Sequence, residues 1–208
     1  MKVFLLLFCI YFPLLSSNSF SDKTIEEAKN KYGDKVVSKI SFWNNMIEEA
    51  KKSEVINKLK LVNDFFNNVQ YITDINHWQQ DDYWATPMEF VGTGGGDCED
   101  YAIAKYFTLI KVGIEESKLR LGYVKYLNKN TKFEEAHMVL LYFHRPDAIP
   151  IVLDNIVKKM EIATQREDLK LIYSFNADGL WEAKNKGKEH VKVGANKLLK
   201  WKSLIEKI

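Results

Sequence analysis

The chain has 208 residues, 46% of them hydrophobic and 28% charged, with 30 basic and 28 acidic side chains and a net charge of +2. That length can bury a full core without disulfide or metal staples. Near-balanced, interleaved charge gives no basis for a nucleic acid or another polyanion as partner.

The N-terminus reads as an export signal, the alternative being an uncleaved anchor or a buried helix. Lys2 precedes an apolar run from Val3 to Leu15, and Ser16, Ser17, Asn18 and Ser19 follow. The run is shorter than the ~20 residues a helix needs to cross a bilayer. A cleavable signal peptide over residues 1–20 is therefore expected, with one mature domain over 21–208. Cleavage removes Cys9 and leaves Cys98 as the single cysteine, so no internal disulfide can form.

Residues 24–69 read as helical. Thr24 and Glu27 form a capping-box pattern with Thr24 as N-cap, and Lys31 to Asp34 breaks the run. From Lys35 to Ala50, Val36, Val37, Ile40, Trp43, Met46, Ile47 and Ala50 recur at helical spacing. Val55 to Phe66 repeats the pattern through Ile56, Leu59, Leu61, Val62, Phe65 and Phe66. Residues 70–91 are polar and aromatic and read as an ordered loop with a short turn at Pro87 to Phe90. Trp78 and Trp84 in that loop either wall a cleft or cap the core. His77 reads as a surface or cap histidine.

Gly92 to Asp100 gathers four of the chain's ten glycines beside Asp97, Cys98, Glu99 and Asp100. Glycine loses the most backbone entropy on folding, so a cluster marks a loop needing unusual dihedrals or close backbone approach. Asp97 or Cys98 then opens a helix to about Val112, with Asp97 suited to the N-cap and Gly113 to the C-terminal stop. Strands are expected at 119–127, 136–143, 149–153 and 169–175, with a turn at 128–132. Residues 182–190 read as a polar stretch, and 197–208 as a closing amphipathic helix. The fold class is α+β: N-terminal helices followed by an antiparallel sheet, in one domain.

A cysteine in the first helical turn faces unpaired N–H groups, which favour thiolate. Asp97, Glu99 and Asp100 oppose that through like charge. A bound cation would reconcile the two, and carboxylates are the hard oxygen ligands Ca²⁺ takes; the alternative is that these acids cap the helix and face solvent. A thiol nucleophile also needs a base. His144 and His190 read as surface residues, whereas a hairpin centred between Arg145 and Pro146 would place His137 directly opposite Asp154. Opposed Cβ atoms lie about 5 Å apart, close enough for a carboxylate to orient an imidazole. Cys98, His137 and Asp154 thereby meet the requirements of an acyl-transfer triad. No Lys-Ser/Thr follows the glycines, which excludes a P-loop. Three readings remain open on these residues: a peptidase, an amide acyltransferase, and a catalytically silent binding module.

The blocks Asp82–Phe90, Gly96–Tyr106, Ala136–Leu140 and Val152–Asn155 resemble the bacterial transglutaminase-like cysteine proteinases, and more narrowly the LapG-type periplasmic adhesin proteases. Tyr173–Asn176 and Gly179–Trp181 extend the likeness. The resemblance implies a papain-like or transglutaminase-like core and a catalytic triad of Cys98, His137 and Asp154. It implies a Ca²⁺ site to which Asp97, Glu99 and Asp100 contribute. It further implies a periplasmic enzyme that cuts a large surface adhesin near its N-terminus at an Ala-Ala site and releases biofilm cells. The partner it implies is the periplasmic domain of an inner-membrane cyclic-di-GMP receptor. For the oxyanion, the Cys98 backbone N–H and a group from residues 78 to 84 are the expected donors.

Overall fold

The computed structural model describes residues 19–184 and 189–208. The expected signal segment through residue 18, with Cys9, lies outside the described residues. Among the described residues no helix is long and apolar enough to cross a membrane.

Three helices come first: α1 (Asp22–Tyr32), α2 (Lys35–Lys51) and α3 (Val55–Phe66). The expected cap of α1 is corrected. Ser21 stands at the N-cap in extended conformation and its Oγ accepts the Thr24 amide at 3.1 Å, so Thr24 is already helical. Most of the apolar stripes predicted for α2 and α3 is buried, with Ile40, Trp43, Ile47 and Ala50 on one and Leu59, Val62 and Phe66 on the other, whereas Val37 and Ile56 are exposed.

The 70–91 region is more regular than its composition suggested. It holds β1 (Gln70–Tyr71), α4 (Asp74–His77) and the start of α5 (Pro87–Thr93). The Thr86 Oγ1 accepts the Glu89 amide at 3.2 Å, and Glu89 Oε2 accepts the Thr86 amide at 2.9 Å. This capping box, with Pro87 behind it, starts a helix where only a turn was expected. A second two-residue strand, β2 (Gly95–Gly96), pairs in parallel with β1. The long helix α6 (Cys98–Lys111) follows. Its end is a Schellman motif: the Gly113 amide reaches the Ile110 carbonyl at 2.9 Å and the Ile114 amide the Leu109 carbonyl at 2.9 Å.

The second half forms a sheet of β3 (Leu119–Leu127), β4 (Glu134–Tyr142), β5 (Ile151–Leu153), β6 (Glu161–Ile162), β7 (Leu169–Asn176), β8 (Gly179–Lys184) and β9 (Glu189–Gly194). All pairs are antiparallel, in the order β6-β5-β4-β3-β7-β8-β9. The stretch expected to be merely polar, 182–190, thus contributes two hairpinned strands. Its side chains are not apolar enough to advertise them. A final helix, α7 (Leu199–Ile205), buries Trp201 and Leu204.

Helix α6 packs on β4 and β3, and the main core lies between the helices and this face of the sheet. Met138, Leu140 and Tyr142 of β4 join that core, whereas Val139 and Leu141 belong to a smaller cluster on the opposite face.

The predicted β4–β5 register is also corrected. Leu140 pairs with Leu153 and Tyr142 with Ile151, so Asp154 falls past the end of β5 rather than directly opposite His137. The connecting turn is longer than drawn from sequence, because β5 begins only after Pro150, which has no N–H to give the ladder. The slip is by two residues in the partner strand, so both side chains keep the same face.

Candidate active site

Three segments meet at one end of the sheet: the N-terminus of α6, the first half of β4, and the loop leaving β5. The path into α6 explains the glycines. Gly94 ends α5 in left-handed conformation, φ 82° and ψ 25°, and its amide reaches the Phe90 carbonyl at 3.0 Å. Gly96 lies where a Cβ would run into Asp100 Oδ2 and come within 2.7 Å of the Phe90 ring. Asp97 takes the N-cap position, and its amide donates to Asp100 Oδ2 at 3.3 Å. Cys98 is the first residue of the helix.

The Cys98 thiol is half-buried and donates to Glu99 Oε2 at 2.7 Å. Its pKa is pushed well above the usual thiol value, by burial first, then by the Glu99 charge and hydrogen bond and by the Asp97 charge; an amide from Met138 opposes them. The helix N-terminus alone therefore does not hold this sulfur as thiolate.

His137, 4% exposed, pairs through Nε2 with Asp154 Oδ1 at 2.8 Å. That bond leaves Nδ1 as the ring nitrogen available for proton exchange. Asp154 Oδ1 also accepts the Ile156 amide at 3.0 Å, and Oδ2 accepts Arg166 Nη2 at 2.7 Å. Burial would raise the Asp154 carboxyl, but the His137 pairing, the Ile156 amide and Arg166 outweigh it and hold it below the ordinary carboxylate range. Arg166 is clamped in turn by Asp168, through Nε at 2.9 Å and Nη2 at 2.8 Å.

Cys98 and His137 open on one cleft of about 580 Å³, whose walls also include Tyr71, Tyr126, Asn155 and Lys158. That volume accommodates a few residues of an extended peptide. The arrangement can transfer a proton between imidazole and a substrate or thiol while the carboxylate fixes the ring.

Beside the thiol stands an acidic cluster. Oxygens of Asp74, Asp97 and Asp100 lie within 4.8 Å of one another, as do those of Asp74, Asp82 and Glu99. Burial, and after it the charges of Glu99, Asp100 and Asp74, push Asp97 up to about 9. Burial likewise lifts Asp100 to about 8, against the amides of Ala85 and Asp97. Asp74 is raised by burial, against a hydrogen bond from the Tyr83 amide. Oδ1 of Asp74 and Oδ1 of Asp97 are buried without a hydrogen-bond partner. Crowded, orphaned carboxylate oxygens fit a hard divalent cation.

All six residues singled out from sequence thus meet: Cys98 and His137 in the cleft, Asp154 behind His137, and Asp97, Glu99 and Asp100 beside the thiol. Sequence reasoning missed Asp74, Asp82, Arg166 and Asp168. Nothing in the local pattern marks them: Asp74 and Asp82 gain their meaning from Glu99 at the start of α6, and the Arg166–Asp168 pair gains its own from Asp154. Neither Trp78 nor Trp84 lines the cleft. Trp78 lies against Tyr83 at 4.6 Å and Trp84 stacks on Phe175 at 5.8 Å. His144 is exposed at the β4–β5 turn, and His190 lies on β9.

The sequence profile of the bacterial transglutaminase-like cysteine proteinases matches residues 34–178. Three solved structures of Legionella pneumophila LapG are similar. The EGTA-treated form is 40% identical, covering 90% of this chain and 97% of that one, with a TM-score of 0.76. The calcium-bound form is 40% identical, covering 90% and 99%, with a TM-score of 0.74. No curated protein matches the sequence at a significant level.

Proposed function

Because the chain belongs to the bacterial transglutaminase-like cysteine proteinases and is a cysteine peptidase, we propose that Cys98, His137 and Asp154 are its catalytic triad and that it is a calcium-dependent endopeptidase. The observation that carries this reading is the His137–Asp154 pair, buried and charge-assisted, opening on the same cleft as Cys98.

Asp154 holds the ring with a proton on Nε2. His137 Nδ1 takes the thiol proton, and the Cys98 sulfur attacks the scissile carbonyl carbon. The C–N bond breaks as the Nδ1 proton passes to the leaving amine, which leaves a thioester on Cys98. His137 then deprotonates a water, which displaces the sulfur and releases the acid. The Cys98 backbone N–H at the helix start receives the developing oxyanion; the walls of the cleft include no residue from 78 to 84, where a second donor was expected.

Calcium is supported by the donor chemistry of the acidic cluster and by the calcium-bound form of the Legionella relative. Asp97, Glu99 and Asp100, joined by Asp74, would hold it. When bound, the cation supplies positive charge that offsets the carboxylates beside the thiol. The substrate is a large surface adhesin cut near its N-terminus at an Ala-Ala site, so that biofilm cells are released. The enzyme acts in the periplasm, held in check by the periplasmic domain of an inner-membrane cyclic-di-GMP receptor. The likeness to LapG along 90% of the chain and the export signal support these assignments.

The test is to incubate the purified protein with N-terminal adhesin fragments, with calcium or with EGTA, and to weigh the products. Hydrolysis adds one water across the cut, whereas acyl transfer would join an amine. Cleavage is expected with calcium only and is expected to vanish in Cys98→Ala. Cleavage that survives either change overturns the reading.

A further inference from the structure

Lys105 is the least expected residue beneath the site. It lies on α6, about two turns beyond Cys98, and is fully buried. Burying an ammonium is expensive unless it is paired, and no carboxylate oxygen hydrogen-bonds it. Its Nζ instead donates to two neutral oxygens: Asn67 Oδ1 at 2.8 Å and the backbone carbonyl of Asp154 at 3.1 Å. Asn67, just past the end of α3, closes the arrangement by donating its Nδ2 to the same Asp154 carbonyl at 2.8 Å. The ring of Tyr101 lies 5.9 Å away. Burial pulls the amine down to about 7, against the charges of Asp154 and Asp64. Both protonation states retain the two N–H donors this geometry uses.

Asp154 is therefore gripped at both ends. Arg166 takes its carboxylate and the Lys105–Asn67 pair takes its carbonyl. The loop after β5 has left the ladder at this point, so no strand pairing fixes that carbonyl. The helix that carries Cys98 fixes it instead.

We infer that Lys105, acting with Asn67, is a positioning residue that ties the Asp154 backbone to the helix bearing Cys98 and thereby sets the His137–Asp154 pair against the thiol. The inference rests on the triad reading, and its test separates the two. The readouts are the rate at which iodoacetamide alkylates Cys98 in calcium chloride, followed by mass at the Cys98 peptide, and the proton resonance of His137 Nε2–H.

In Lys105→Met, alkylation is expected to slow about tenfold, a typical cost of misplacing a catalytic group by a fraction of an ångström. The Nε2–H resonance should move upfield as the bond to Asp154 lengthens. Asn67→Ala should act in the same direction, and the double variant should lose less than the product of the two single losses, since both act on one carbonyl. If Lys105→Met does not fold, Asn67→Ala carries the same two readouts. If His137→Ala slows alkylation while Lys105→Met and Asn67→Ala leave rate and resonance unchanged, the positioning role is overturned and the triad stands. If His137→Ala itself leaves the rate unchanged, the triad reading falls and this inference falls with it.

Discussion

At the scale of single residues, Asp154 concentrates the most consequence. Its two carboxylate oxygens receive three donors, from His137, Ile156 and Arg166. An amide in its place must turn an NH₂ toward either His137 or Arg166, both of which are donors. Asp154→Asn should therefore lower kcat about a hundredfold, the scale of a lost general acid–base contribution. It should also cost on the order of 3 kcal/mol of stability, because the buried Arg166 loses one of its two carboxylate partners and keeps only Asp168. A proteolysis assay and a denaturant melt check the two. The pH dependence has a definite sign. The folded carboxyl sits below its unfolded value of about 4, so its stabilisation is present above that value and fades as pH falls through the folded one. Asp154→Asn should remove this acid-side loss, so the melting temperatures of the two proteins should converge at low pH. Cys98, His137 and Asp154 were legible in the sequence because each has an uncommon setting: a lone thiol at a helix start, a histidine in an apolar strand, an acid closing another. Arg166 and Lys105 were not, since a single Arg or Lys in a chain with 30 basic residues carries no mark of burial.

At the scale of elements, the α5–β2–α6 junction leaves little room for change. Within a few residues it caps one helix, pairs two residues with β1 and caps the next helix. Gly96→Ala puts a methyl against Asp100 and Phe90. It should destabilise the protein by about 2 kcal/mol as an overpacked site. It should also weaken calcium binding, because Asp100 cannot keep its place; calorimetric titration reads that loss. The helices were readable because α2 and α3 carry clean apolar stripes. The capping box at Thr86 and Glu89 was equally present in the sequence, but the aromatic and polar run before it obscured it. Strands β8 and β9 were missed for another reason: they are the outer strands of the sheet, beyond β7. Val191 and Val193 remain exposed, so little apolar alternation was required of them.

At the scale of the whole molecule, the acidic cluster joins two parts of the chain that otherwise meet through the short β1–β2 pairing and packing. Asp74 comes from α4, and Asp97, Glu99 and Asp100 from the start of α6. A cation held among them should stabilise the fold by mass action. EGTA should lower the melting temperature by several degrees, since each kcal/mol is worth roughly 2–4 °C at this size. A thermal melt with and without chelator measures it; an unchanged melt would count against the cluster as a cation site. The α+β class and the division into a helical half and a sheet half were plain from the order of the periodic segments. The β4–β5 register was not, because the length of the 143–150 turn is set by where Pro150 allows pairing to resume.

That division of the chain has a temporal consequence. Synthesis runs from the helices to the sheet, so the thiol of Cys98 exists before its base and before the acid that orients the base. Until residues past Arg166 have been made and the sheet has closed, the sulfur has neither the imidazole of His137 nor the carboxylate that orients it. The growing polypeptide thus carries its nucleophile before the groups that would activate it are in place.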